Sequence, residues 1–109
     1  MAYDQALAER IRTTLQDVPG LVEKKMFGGV GYILQGNMAC GVSGDDLIVR
    51  LGPQKTSHVQ EMPGVHPFNR MGRSMNGWLM VSPDGLQDEA TFRSLLRWSI
   101  EHAQSLPAK

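Results

Sequence analysis

The stretch Lys24–Arg50, KKMFGGVGYILQGNMACGVSGDDLIVR, decides how the rest of the chain is read. Val30, Tyr32 and Leu34 recur at the two-residue period of a strand, and Leu47, Val49 and Leu51 do so again after a turn. Between them Met38, Cys40 and Val42 fall on one face, with Ala39 and Gly41 on the other. Gln35-Gly36-Asn37 has the composition of a hairpin turn, because Gly and Asn tolerate positive φ. Ser43-Gly44-Asp45-Asp46 is a second turn. Strands this close in sequence, joined by tight turns, are expected to pair antiparallel as a meander.

Upstream, Leu21 to Phe27 reads as a further strand with Val22 and Met26 on one face and Lys24 between them, and Gly28-Gly29 breaks or bulges it. Before that, Leu7, Ile11, Leu15 and Val18 recur at helical spacing within Asp4 to Val18, with Asp4 as N-cap and Pro19-Gly20 as the stop. Their apolar stripe is expected to face a core.

Downstream, Gln54 to Glu61 reads as a short helix with Pro53 at its first position. Pro67 and Gly72 interrupt the segment Val65–Asn76, which is expected to be partly an edge strand anchored by Phe68 and Met71. Gly77–Val81 is a short strand. After the turn Ser82-Pro83-Asp84-Gly85, Asp88 caps a last helix that carries Phe92, Leu95, Leu96, Ile100 and Ala103 on one stripe. Its solvated side holds the i,i+4 pairs Glu89–Arg93 and Arg97–Glu101. The residues thus predict one α+β domain over residues 1–109, an antiparallel meander flanked by an N-terminal and a C-terminal helix.

Composition narrows the function classes. The 109 residues are 41% hydrophobic and 20% charged, ordinary values for one folded domain. Eleven basic residues balance eleven acidic ones, which argues against strong autonomous nucleic-acid binding, since phosphate contacts dominate such affinity. Cys40 is the single cysteine, so no internal disulfide forms. No leader and no apolar run of about 20 residues is read, so the expectation is a cytoplasmic chain with no membrane segment. Seven methionines suit adaptable contact surfaces.

The individual motifs favour structure over chemistry. The glycines of Phe27-Gly28-Gly29-Val30-Gly31 are followed by the strand-like Tyr32-Ile33-Leu34, whereas a phosphate loop requires a helix N-terminus there. Cys40 sits mid-strand among apolar residues, a setting that keeps a thiol protonated and inert. His58, His66 and His102 lack the spacing of a zinc motif, and Asp45-Asp46 lacks the context of a calcium loop. Trp78 and Trp98 read as packed aromatics, with an interface contact as the alternative for Trp78 beside the segment Gly72–Gly77. No catalytic, metal or cofactor residue is therefore assigned, and the chain is read as no enzyme. Lys24, Lys25, Arg50 and Arg73 are candidates for an anion or an acidic partner if the sheet brings them together. The alternative is that each is a solvated cation, as lysines that discourage edge pairing often are.

The ordered set Lys24-Lys25-Met26-Phe27-Gly28-Gly29, Gly36-Asn37-Met38, Val42-Ser43-Gly44-Asp45-Asp46-Leu47, Val49-Arg50-Leu51-Gly52-Pro53, Gly72-Arg73 and Met75-Asn76-Gly77-Trp78 resembles the N-terminal domain of TfoX/Sxy-type competence regulators. The resemblance runs over essentially the whole chain. It implies an α+β fold similar to secretion-chaperone-like domains, a tendency to homodimerise, and a regulatory role tied to DNA uptake through a protein partner. The helical second domain of the full-length regulators has no counterpart within these 109 residues. The expected function is a non-enzymatic regulatory or protein-interaction domain; the alternative is an anion- or small-ligand-binding domain.

Overall fold

The computed structural model describes residues 3–26, 28–70 and 73–108. Phe27, Met71 and Gly72, read above as strand end, anchor and interruption, lie outside the described residues, as do the side chains of Arg70 and Arg73. The chain runs α1 (Gln5–Thr14), β1 (Leu21–Met26), β2 (Gly29–Leu34), β3 (Asn37–Ser43), β4 (Asp46–Arg50), α2 (Gly52–Val59), β5 (Val65–Arg70), β6 (Arg73–Val81), a 3-10 turn at Pro83–Leu86, and α3 (Glu89–Ser105). The strands form one antiparallel sheet in the order β1-β2-β3-β4-β6-β5. Four strands are the expected meander. The last hairpin then inserts β6 beside β4 and leaves β5 at the edge, where Pro67, with no N–H to donate, is tolerated.

The helices begin where their caps say. Asp4 Oδ1 accepts hydrogen bonds from the N–H groups of Ala6 at 2.9 Å and Leu7 at 3.2 Å, and Asp88 Oδ2 accepts from Thr91 N–H at 3.1 Å. The backbone N–H of Asp4 donates to the Gly44 carbonyl at 2.8 Å, which ties the start of α1 to the β3–β4 turn. Leu7, Ala8, Ile11 and Leu15 and the α3 residues Phe92, Leu95, Leu96, Ile100 and Ala103 bury their stripes against one face of the sheet. That face supplies Val30, Tyr32, Leu34, Cys40, Val42, Leu47, Val49, Leu79 and Val81. Val59 of α2 joins the same core.

Two details of the β2–β3 hairpin differ from the sequence reading. The residues at positive φ in the turn are Gln35 (φ 53) and Gly36 (φ 83), while Asn37 starts β3 and is buried. A two-residue turn with both central residues left-handed matches the twist of the flanking strands, and that constraint overrides the ordinary reluctance of Gln. Asn37 is used elsewhere: its Nδ2 donates to the Pro107 carbonyl at 2.9 Å and holds the chain after α3 against the sheet. The second difference is a β-bulge. Tyr32 lies opposite Cys40 but Ile33 lies opposite Met38, so Ala39 is the extra residue. One inserted residue shifts the alternation, and Met38 leaves the face of Cys40 and Val42 for the opposite one.

Tyr32 links three elements. Its hydroxyl donates to Glu23 Oε2 at 2.6 Å and lies 3.1 Å from the Ala8 carbonyl oxygen of α1. Glu23 also accepts from Arg12 Nε at 2.8 Å, and Arg12 pairs with Glu9. The Arg12 hydrogen bond, followed by that of Tyr32, holds the Glu23 carboxyl below its usual range. Because the folded value lies below the unfolded one, this contribution is complete above about pH 4.3 and is lost as pH falls through the folded value. Replacing Tyr32 by Phe removes the shared hydroxyl from an otherwise unchanged ring, so urea unfolding at neutral pH should show a loss of about 1 kcal/mol. The decline in stability from about pH 5 toward pH 3 should be shallower in Glu23→Gln than in the parent. A residual slope is expected from Asp88 and Glu89, which are also held low by their hydrogen bonds to Thr91 and Arg10.

Candidate functional site

All three helices pack on one side of the sheet, so the other side has no layer over it among the described residues. Strand alternation and register place Val22, Lys24 and Met26 of β1 on this open face, then Gly31 and Ile33 of β2, and Met38 and Gly41 of β3. Asp46, Ile48 and Arg50 of β4, Trp78 and Met80 of β6, and His66 and Phe68 of β5 lie on it as well. Ile48 is buried, yet it does not belong to the main core cluster; Met26, Ile33, Met38, Phe68, Trp78 and Met80 are partly buried and also stand apart from that cluster. Val22 is 56% exposed, the one large hydrophobic side chain so open among the described residues.

The centre of this face is a trough. Gly31 and Gly41 are opposite one another in register, so two adjacent strands lack side chains at the same point. The side chains of Met26 and Met38 roof it: a Cβ at Gly31 would lie 3.1 Å from the Met26 Cε and 3.3 Å from the Met38 Cε, and one at Gly41 would lie 2.8 Å from the Met38 Cε. Unbranched methionines over a smooth backbone floor can change rotamer without disturbing the sheet. At one end of the face the Arg50 guanidinium sits 5.3 Å from the Trp78 ring centroid, and Phe68 meets the same indole at 6.0 Å in a tilted pair.

The sequence candidates do not assemble into one cluster. Lys24 and Arg50 share the open face but stand three strands and two residues apart, about 16 Å by sheet geometry. Lys25 points to the helix-side face, at the edge of the sheet opposite Val30. Arg73 begins β6, five residues from Trp78, and its side chain lies outside the described residues. Among the described residues neither Lys24 nor Arg50 makes an ion pair. The arginines of the helices behave differently. Arg10, Arg93 and Arg97 line a groove of about 550 Å³ between α1 and α3. Each already meets a carboxylate: Arg10 meets Glu89 at 3.0 Å, Arg93 meets Glu89 at 3.4 Å, and Arg97 meets Asp17 at 3.3 Å.

The open face was legible in principle. Ile33, Ile48 and Met80 are apolar at the positions that alternate with core residues, so β2, β4 and β6 read as apolar on both faces, the pattern of strands buried on both sides. Cys40 packs in the core with Ser99, whose hydroxyl donates to the Leu96 carbonyl at 2.7 Å. Burial pushes the thiol up to about 12. Among the described residues no three His, Cys, Asp or Glu side chains group to hold a metal ion, and no helix is long and apolar enough to cross a membrane.

An α+β domain with one face of its sheet covered by helices and the other left open is a class of fold shared with solved structures. The chain is similar to protein DR2400 of Deinococcus radiodurans, which has a DUF419 family-model domain, with a TM-score of 0.74 and 15% identity over 90% of this chain and 78% of that one. It is also similar to a structural-genomics target from Pseudomonas syringae, with a TM-score of 0.65 and 13% identity over 87% of this chain and 97% of that one. At these identities the likeness shows the fold alone. No curated protein matches the chain. The model of the TfoX N-terminal domain matches residues 13–103, and the chain belongs to that family.

A thiol reagent such as Ellman's compound should leave native Cys40 unmodified over hours at pH 8 and react fully once urea unfolds the chain. Stoichiometric reaction with the native protein would contradict its placement in the core.

Proposed function

We propose that this chain is a non-enzymatic regulatory domain that acts in the cytoplasm by binding a protein partner through the open face of its sheet. The observation that carries the reading is the apolar, methionine-lined surface formed by Met26, Ile33, Met38, Ile48, Trp78 and Met80. Sheet geometry gives the six-strand face an area of about 500 Å², at the upper end of what monomers leave exposed and of the size often used for contact. Membership of a competence-regulator domain family supports the same reading.

The face is a better contact than the edges. β1 presents Glu23, Lys24 and Lys25 in succession and β5 contains Pro67, and both features oppose the addition of another strand. Homodimerisation, which the family resemblance implies, is therefore disfavoured by way of the sheet edges relative to contact through the face.

The reading is tested by recovering partners from cells of the source organism with the parent chain and with the double variant Ile33→Glu/Met80→Glu. Both positions are partly exposed, so the variant should keep its Tm within about 5 °C of the parent. It should lose partners that the parent retains. Recovery of the same proteins by both chains, or of none by either, overturns the reading.

A further inference from the structure

We propose that the occupant of the open face is an amphipathic helix with acidic residues at the two ends of its apolar stripe. The inference rests on the protein-interaction reading and specifies the chemistry of the partner. Three observations carry it.

The first is charge. Lys24 lies at the β1 edge of the apolar patch and Arg50 on β4 beside Trp78, with Gly31, Met38, Gly41 and Ile48 between them, and neither makes an ion pair among the described residues. Asp46, the one carboxylate on this face among the described residues, lies at the end of β4 away from Arg50. The apolar stretch between these two cations complements a ligand segment that is apolar in the middle and anionic at two ends. A second copy of the same face would instead bring two further cations to the interface.

The second is size. A standard stable protein–protein contact buries about 800 Å² per partner, more than the roughly 500 Å² available here, whereas a helix of three to four turns is about 10 Å across and fits within it. The separation of about 16 Å between Lys24 and Arg50 corresponds to about eleven residues of helix, so carboxylates at i and i+11 reach both.

The third is shape. The covered face of the same sheet is packed by helices, and the Gly31–Gly41 trough under Met26 and Met38 gives the open face a floor that adjusts to a helix ridge. Strand addition is opposed at both edges by the residues named above.

The test uses the full chain and two synthetic helical peptides of about 16 residues with the same leucine stripe, one with glutamates about eleven positions apart and one with lysines there, followed by fluorescence anisotropy. The acidic peptide should bind about tenfold more tightly than the basic one at low salt, and the preference should shrink with added salt. It should reverse in Lys24→Glu/Arg50→Glu, with an unchanged circular dichroism spectrum as the check on the fold, since Arg50 is half-buried beside Trp78. Equal binding of both peptides, or binding of neither, overturns the inference. So does a chain mass of a dimer that excludes the peptides and reverts to monomer in Ile33→Glu/Met80→Glu, since the occupant is then a second copy. If the peptides fail while partner recovery still depends on Ile33 and Met80, the helix inference falls and the interaction reading stands. If both fail, both fall.

Discussion

One sheet has two faces, and this chain has helices for one of them. The stripes of α1 and α3 bury Ile11, Leu15, Phe92, Leu95 and Leu96 to near-zero exposure against Tyr32, Cys40, Val42, Val49 and Leu79. That packing fixes the register of every strand, because a slip of one residue would exchange the core set for the opposite set. It also determines what is left over. Once the helices are committed, Ile33, Ile48, Met38 and Met80 have no layer over them among the described residues, and the surface they form follows from the packing elsewhere.

The polar contacts reinforce this one-sided arrangement. Tyr32 reaches from β2 to α1 and to Glu23 on β1, and the hydroxyl satisfies its polar tip where the ring is buried. Asn37 holds the chain beyond α3, and Asp4 with Gly44 holds the start of α1. Arg10 lies 3.8 Å from the Phe92 ring centroid, donates to the Leu86 carbonyl at 2.8 Å and pairs with Glu89, joining α1 to α3. Each of these contacts tightens the helix side. The open side has aromatic and cation–π contacts around Trp78.

Much of this was legible in the residues. The period of Leu47-Val49-Leu51, the caps Asp4 and Asp88, and the stop at Pro19-Gly20 each have a local physical cause, and local causes can be read from sequence. The β-bulge at Ala39 and the left-handed Gln35 depend on how two strands meet, which no window along one strand contains. Their consequence is large for the candidate site, since the bulge moves Met38 onto the open face beside Met26. The basic candidates illustrate the same limit. Strand order and alternation separate Lys24, Lys25 and Arg50, and a one-dimensional count of cations holds neither piece of information. The apolar residues on both faces of β2, β4 and β6 were visible, but their meaning depended on knowing that the helices all cover the same face.

The division of the sheet into a core face and a contact face is tested most directly at two neighbours in β6, Leu79 and Met80, which point to opposite sides. Urea unfolding of Leu79→Ser and Met80→Ser compares them in one strand with one chemistry of replacement. The account predicts a loss of about 3 kcal/mol or more for Leu79→Ser, where an apolar side chain is removed and a hydroxyl buried. It predicts a loss of about 1 kcal/mol or less for Met80→Ser, with the unfolding slope unchanged. Equal losses at the two positions would contradict it, because the open face would then be part of the core.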